Sequence, residues 1–115
     1  MAFTEAEKQE YEAVLTAFIE IRRPREEIRK KLDFGFQIKD QSIEIFEIRP
    51  VWDDDSRIMH SPVAKATFVR SQRHWKVFWM RADLTWHSYP PKPTVRRIHH
   101  FLELVDKDTH HCFWG

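Results

Sequence analysis

The sequence predicts an α+β fold, with two N-terminal helices, an antiparallel sheet of four or five strands built from two hairpins, and one C-terminal helix. Apolar residues recur at helical spacing near both ends of the chain. Between residues 34 and 81 they alternate with polar residues, which is the period of strands. With 115 residues, 42% of them hydrophobic, the chain suits a single domain over residues 1–115.

The first helix is predicted to begin after Thr4. Thr4 and Glu7 fit a capping box, in which each side chain reaches the other residue's backbone N–H. Pro24 interrupts the helical pattern, and proline suits the first turn of a new helix. Residues 25–32 are therefore predicted as a short second helix. The apolar stripe of the first helix is Tyr11, Val14, Leu15, Phe18 and Ile21.

A first hairpin is predicted around a two-residue turn at residues 40–41. This turn fixes a register that keeps apolar residues opposite each other. Pro50 is expected to end the second strand, which leaves residues 51–62 as a polar loop. The predicted pairs are Ile38 with Ile43, Phe36 with Ile45, and Gly35 with Phe46.

A second hairpin is predicted from residues 63–70 and 74–81, with a turn at residues 71–73. In the simplest register one face carries Ala64, Ala66, Phe68, Phe78 and Met80. The opposite face carries Lys65, Thr67, Val69, Trp75, Val77 and Trp79. Because this second face is apolar too, we expect a helix, a partner subunit or a ligand to cover it.

A final helix is predicted after the stiff connector at residues 90–93. Thr94 is its predicted N-cap, and residues 109–115 follow it as a tail. The apolar stripe of this helix is Val95, Ile98, Phe101, Leu102 and Val105.

Several runs of the sequence resemble one uncharacterised bacterial family. IEIFEIRPVW (residues 43–52), PVAKATFV (62–69) and WKVFWMRADLTWHSYPPKP (75–93) are similar to the family called domain of unknown function 3024. The ending LVDKDTHHCFWG resembles the end of the same family, so the resemblance covers most of residues 25–115. It implies a small, stand-alone, mostly bacterial protein, with no established activity, cofactor or catalytic residue to transfer.

Composition argues against several functional classes. No apolar run is long enough for a membrane span, and the opening lacks the features of a signal peptide, so a cytoplasmic location is expected. A single cysteine, Cys112, excludes an intramolecular disulfide and a multi-cysteine metal site. Two glycines leave no phosphate-binding loop of the Walker or Rossmann type, and no cofactor is predicted.

The densest group of chemistry-bearing residues lies at the end of the last long strand. Arg81, Asp83 and His87 are candidates for a phosphate clamp, an orienting carboxylate and a general acid or base. The alternative is an ion pair of Arg81 with Asp83, and Trp86 as a core residue. The complete set of candidate binding residues is Glu47, Arg49, Lys65, Trp75, Trp79, Arg81, Asp83, Trp86, His87 and Tyr89.

Lys65, Trp75 and Trp79 are predicted to share one sheet face, where they would stack on bases and pair with phosphates. The alternative places Lys65 over Trp79 as a cation–π contact beneath a covering helix. Basic groups at residues 22–31 and 92–97 add local positive charge, although the net charge is only +1.

Metal sites are weakly supported. His99 and Glu103 are four residues apart on the final helix, a spacing that can hold a divalent cation. The aspartates at residues 53–55 are a candidate cation site of the nuclease type, but nothing nearby supplies the remaining ligands. We therefore predict no metal.

The sequence favours a non-enzymatic binding module for single-stranded nucleic acid or another anionic ligand, with no membrane partner. One alternative is a protein-interaction domain that homodimerises through the apolar second face. Another is a small ribonuclease similar in outline to RelE-type toxins, with His87 as general acid and Glu47 or Asp83 as base. No catalytic spacing is specific enough for us to predict an enzyme.

Overall fold

The fold is α+β, as predicted, in a computed structural model that describes residues 2–114, the side chain of Asp55 excepted. The sheet has six strands where the sequence predicted four or five. The antiparallel order is β1-β2-β3-β4-β5, and β6 pairs with the part of β4 that β5 does not pair with. The elements in chain order are α1 (Glu5–Arg22), β1 (Asp33–Lys39), β2 (Ser42–Val51), β3 (Asp54–Val69), β4 (His74–Met80), β5 (Trp86–Ser88), β6 (Thr94–Val95) and α2 (Ile98–Lys107).

The predicted capping box begins α1. Thr4 Oγ1 accepts a hydrogen bond from the Glu7 amide at 3.2 Å, and Glu7 Oε1 accepts one from the Thr4 amide at 2.8 Å. Glu7 also pairs with Arg70, whose hydrogen bond is the largest cause of the lowering of the Glu7 carboxyl pKa to about 2. The predicted apolar stripe is wrong at Ile21, which is 89% exposed, because the buried face continues through Leu15 to Ile19 at a spacing of four.

The predicted second helix is absent from the described residues. Residues 26–31 form turns instead, with bonds from the Ile28 amide to the Arg25 carbonyl and from the Lys31 amide to the Ile28 carbonyl. So short a segment gains little from helix propagation once the first turn is formed. Its central apolar residue, Ile28, is 46% exposed, so burial adds little more.

The first hairpin has the predicted register, with Ile38 opposite Ile43 and Gly35 opposite Phe46. The predicted loop at residues 51–62 is wrong, because β2 continues to Val51 and β3 begins at Asp54. The prolines are accommodated by two register shifts, one between Ile45 and Phe46, opposite Pro62, and one between Pro50 and Val51. Bulges are among the few places in a sheet where proline is tolerated.

One end of the β2–β3 pair extends beyond its neighbours. The pairing of β1 with β2 ends at Ile48, and β4 pairs with β3 only from Ala64 onward. Residues 49–60 therefore form a two-stranded projection, which we call the arm. Its turn holds Trp52, 93% exposed, and the molecule measures 45 × 30 × 24 Å along its principal axes.

The predicted register of the second hairpin is wrong by one residue. Val69 pairs with His74 across a four-residue turn, in which Arg73 has a φ of 51°. A three-residue turn was expected, and a one-residue slip moves one strand's side chains to the opposite face. The helix-facing side of this hairpin carries Ala64, Ala66, Phe68, Trp75, Val77 and Trp79, and the other side carries Lys65, Thr67, Val69, His74, Lys76, Phe78 and Met80.

Both helices contribute to one core on the same face of the sheet. Leu15 of α1 and Phe101 of α2 join Ile43, Ala66 and Trp75 in a single cluster of buried residues. On the opposite face, which we call the open face, Lys65, Thr67, Phe78, Met80 and Trp86 are all at least partly exposed. The described elements therefore leave the open face without the cover that the sequence suggested.

The final helix begins later than predicted. Ile98 is its first residue, and Arg97 occupies the N-cap position without a side-chain hydrogen bond. Thr94 is not the cap, because it pairs with Lys76 in β6 while Val95 is buried opposite Trp75. Pairing with β4 draws these two residues into the sheet.

Gly35 lies against a large side chain on the open face. A Cβ added at this position would lie 2.8 Å from Cε2 of Phe46. The Phe46 ring is stacked on His60, with centroids 4.4 Å apart, so it can yield only by disturbing that contact. We expect Gly35→Ala to lower the free energy of unfolding by about 1–2 kcal/mol.

Denaturant titration measures the loss of unfolding free energy in Gly35→Ala. A substitution of Phe46 tests whether the contact with its ring causes that loss. In a Phe46→Leu background the ring is absent, so Gly35→Ala should cost less than half as much. An equal cost in both backgrounds would show that the Phe46 contact is not responsible.

Candidate functional site

The residues predicted to form one aromatic and basic sheet face are divided between the two faces. Trp75 is 2% exposed in the core, and Trp79 packs against the same core with its indole N–H buried and without a hydrogen-bond partner. Lys65 lies on the open face, opposite Phe78. The prediction that Lys65, Trp75 and Trp79 share a face is therefore wrong. The homodimer inferred from that face stays a prediction without its original support.

A different aromatic and basic group does lie on the open face. The Lys65 Nζ is 5.7 Å from the centroid of the Phe78 ring and 5.8 Å from that of Trp86. Both distances are within cation–π range. Trp86 is partly exposed here, so the alternative that made it a core residue is wrong. The Lys65 ammonium therefore lies over the same two rings, Phe78 and Trp86, on which nucleic-acid bases would stack.

The structure brings together two of the three candidates predicted for catalytic roles, Asp83 in the loop between β4 and β5 and His87 in β5. The His87 Nε2 is 2.8 Å from Asp83 Oδ2 and 2.9 Å from Thr85 Oγ1. The hydrogen bond with His87 is the largest cause of the lowering of the Asp83 pKa to about 2. The structure therefore places the Asp83 carboxylate against His87, and its role as an orienting group stays a prediction.

The other candidates do not join this pair. The Arg81 guanidinium lies 5.5 Å from the Trp79 ring centroid and forms no ion pair with Asp83 in the described chain. Arg49 Nε donates to Glu47 Oε2 at 2.7 Å, and no hydrogen bond between described residues links either side chain to His87. In the described chain, no hydrogen bond or ion pair links a candidate phosphate clamp to the pair formed by His87 and Asp83.

A cleft of about 690 Å³ lies where the β3–β4 turn, β6 and α2 meet. This volume is within the usual range for small-molecule sites. Tyr89 is the predicted candidate residue that lines it. The complete lining is Gln72, His74, Tyr89, Lys92, Thr94, Val95, Arg96, His100, Glu103, Leu104, Lys107 and Thr109.

Positive charge dominates this cleft, which we call the basic cleft. Lys92, Arg96 and Lys107 line it together with His74 and His100, while Glu103 is the only carboxylate among its lining residues. None of the three lysine and arginine side chains forms a hydrogen bond or ion pair with another residue of the range 2–114. Their charges are available to a ligand.

Arginines elsewhere are used within the fold. Arg22 pairs with Asp106 at 2.8 Å, and Arg23 pairs with Asp33 at the same distance. These two arginines belong to the basic group at residues 22–31, which was expected to add local positive charge. Their pairing reduces the charge of that group, whereas the basic cleft keeps its own.

Two further side chains contribute to the basic cleft. The His74 Nε2 is buried and lacks a hydrogen-bond partner in the described structure, a state that ordinarily costs about 1–3 kcal/mol. Tyr89 is 2% exposed and packs on Phe113 with ring centroids 4.8 Å apart. Burial is the largest cause of the raised pKa of Tyr89, so this residue is a neutral wall of the cleft.

Metal binding finds no support in the described residues, where no three His, Cys, Asp or Glu side chains are grouped to hold an ion. The Cys112 thiol donates to the His110 carbonyl at 3.6 Å. Burial is the largest cause of its raised pKa, which opposes formation of the reactive thiolate.

Comparison with protein families decides the relationship that the tryptophan-rich strings suggested. The sequence profile of the family described as domain of unknown function (DUF3024) matches residues 3–115. The chain belongs to the DUF3024 family. Comparison of this DUF3024 protein with curated proteins finds no match. Comparison with solved structures finds none either.

The basic cleft of this DUF3024 protein was not predicted as a site, although the basic group noted at residues 92–97 contains two of its cations, and a second signal was available. His100 and Lys107 are seven residues apart, so they project from one side of α2, and Arg96 lies just before the start of this helix. The apolar stripe of α2 occupies the other side.

Neither α1 nor α2 is long and apolar enough to cross a membrane.

Proposed function

We propose that this DUF3024 protein is a binding module for ligands that carry phosphate groups, and that it holds them in the basic cleft. One observation carries the proposal: Lys92, Arg96 and Lys107 line a single cleft and have no partner among the described residues. Charge-assisted hydrogen bonds to phosphate are stronger than neutral ones, and arginine can make two at once. Single-stranded nucleic acid and free phosphate-bearing molecules share this chemistry.

The proposal moves the ligand away from the sheet face on which the sequence analysis placed it. On the open face the ammonium of Lys65 already lies over Phe78 and Trp86. A ribonuclease is less well supported, because the Nε2 of His87 is engaged by Asp83 and Thr85. We therefore propose binding and not catalysis.

We expect the combined substitution Arg96→Gln and Lys107→Gln to weaken binding of a single-stranded RNA 12-mer at least tenfold. Two charge-assisted contacts are lost, and a tenfold change corresponds to about 1.4 kcal/mol. Fluorescence anisotropy with a labelled 12-mer measures the dissociation constant over a range of salt concentrations. The dependence on salt should become shallower in the variant, because fewer counterions are released.

The matched control is the pair Lys76→Gln and Arg97→Gln, which removes the same charge outside the cleft lining. Its affinity should stay within about twofold of the unmodified protein if screened surface charges contribute little. Calorimetry with inorganic triphosphate separates the two ligand sources: binding of the RNA alone indicates nucleic acid, and comparable binding of triphosphate indicates a small phosphate-bearing molecule. Failure of both probes to bind at low salt, or equal losses in both variant pairs, would contradict the proposal.

A further inference from the structure

The turn of the arm exposes a large aromatic side chain beside acidic ones. Trp52 is 93% exposed, and Ile58 and Met59 on the same arm are 66% and 46% exposed. Asp53 follows Trp52 directly, and neither Asp53 nor Asp54 forms an ion pair with any described residue. Exposed tryptophan at a projecting turn is typical of an anchor for a partner protein.

The tip of the arm and the basic cleft lie at opposite ends of the molecule. Strand β3 runs for 16 residues from Asp54 at the tip to Val69, and the turn that follows carries Gln72 of the cleft lining. A straight strand of that length would span about 50 Å, and the register shifts in the pairing of β2 with β3 bend it within the longest dimension of the molecule. The long axis of the molecule is 45 Å. A chain therefore cannot place its own tip in its own cleft.

The two ends are complementary in charge and in polarity. The tip presents carboxylates next to an indole, and the cleft presents Arg96 and Lys107 next to the partly exposed Leu104, with Val95 buried in its lining. Carboxylates pair with these cations, and an indole packs on aliphatic side chains and under a guanidinium. Each end supplies what the other lacks.

We propose that the basic cleft of one copy receives the tip of the arm, Trp52 with Asp53 and Asp54, from a second copy. The association is head to tail, so it closes into a ring or grows as a chain according to the rotation between copies. The inference rests on the proposed function in one respect, that the cleft accepts anionic groups. Phosphate-bearing ligands then compete with the tip for the same cations and dissociate the assembly.

Sedimentation velocity tests the association with two complementary variants. The tip variant carries Trp52→Ala and Asp53→Asn, and the cleft variant carries Arg96→Glu and Lys107→Glu. The unmodified protein should sediment faster as its concentration rises, and added salt should weaken this effect. Each variant alone should associate at least tenfold more weakly.

Mixing the two variants gives the decisive result. The mixture contains one intact tip on the cleft variant and one intact cleft on the tip variant, so it should form a 1:1 complex that does not grow further. A concentration-independent monomer of the unmodified protein would overturn the inference. So would association that persists in both variants, or a mixture that forms no complex.

The RNA 12-mer separates this inference from the proposed function. If the tip variant binds the RNA while the unmodified protein stays monomeric, the second-copy inference fails and the proposed function stands. If the copies associate through tip and cleft while neither RNA nor triphosphate binds, the proposed function fails and the inference stands. The pair Lys76→Glu and Arg97→Glu is the charge-matched control, and it should leave association within about twofold of the unmodified protein if screened charges outside the contact contribute little.

Discussion

Replacing Trp75 with alanine should lower the free energy of unfolding by about 3–5 kcal/mol, the usual effect of deleting a large buried aromatic side chain. Trp75 is 2% exposed and contacts three other aromatic rings, with centroid distances of 5.7 Å to Phe3, 5.2 Å to Tyr11 and 5.1 Å to Phe68. The indole joins α1 and the segment before it to β3 and β4, so its removal opens a cavity between the helix and the sheet. Urea unfolding followed by circular dichroism measures the loss.

Trp52→Ala is the matched control, because it deletes the same side chain at a site that is 93% exposed. Its effect on stability should stay within about 0.5 kcal/mol. If Trp75→Ala does not fold, Trp75→Phe keeps the comparison, with an expected loss between those of the other two variants. Equal effects at Trp75 and Trp52 would contradict the observed register of the second hairpin.

The register of the second hairpin could not be predicted from the sequence, whereas that of the first hairpin could. The first hairpin was predicted correctly because its two-residue turn left one register that paired apolar residues on the core face. The second turn, Arg70-Ser71-Gln72-Arg73, contains no glycine or asparagine to mark its left-handed position, which Arg73 takes with a φ of 51°. The alternating patterns of β3 and β4 are compatible with two registers, one with a three-residue turn and one with a four-residue turn. The structure has the four-residue turn, and this sets the register.

The arm was missed for a related reason. Pro50 and Pro62 suggest the ends of strands, and the residues between them include three aspartates. In the structure both prolines lie beside register shifts, which let the pairing of β2 with β3 continue past them. The low strand propensity of proline and aspartate was outweighed by the pairing of β2 with β3, and such context effects are common in sheets.

The candidate site was harder to predict than the fold. Asp83 and His87 were candidates for an orienting carboxylate and a general acid or base, but the sequence did not show that they meet, as they do at 2.8 Å in the structure. The basic cleft takes residues from position 72 to position 109, and it forms only because β6 and α2 fold back beside β4. Charge along the chain did not reveal which cations remain unpaired, because partners such as Asp106 for Arg22 are distant in sequence.

Asp108 links the end of α2 to both the core and the basic cleft, and its replacement is the second change for which we expect a large effect. Its carboxylate is buried and accepts hydrogen bonds from the amides of Phe113 at 3.0 Å and Trp114 at 2.9 Å. Asp108→Ala leaves both amides without partners, at about 1–3 kcal/mol each. It also places alanine at a φ of 42°, where aspartate is better tolerated.

Asparagine and glycine at position 108 separate these two contributions. Asp108→Asn keeps the backbone preference and one acceptor oxygen, so it should lose about half as much stability as Asp108→Ala. Asp108→Gly suits the backbone but lacks the carboxylate, so its loss should lie between those two. Thermal unfolding gives this order, and equal losses in all three variants would show that the pair of hydrogen bonds does not hold the tail.

The same series should reach the basic cleft through the tail. Phe113 packs on Tyr89, which lines the cleft. The Trp114 ring lies under Arg22, with 4.2 Å between its centroid and the guanidinium carbon. Releasing the tail removes the support behind Tyr89, so Asp108→Ala should weaken binding of the RNA 12-mer by several-fold at temperatures where the protein stays folded. An unchanged affinity, measured alongside a large loss of stability, would show that the wall of the cleft does not depend on the tail.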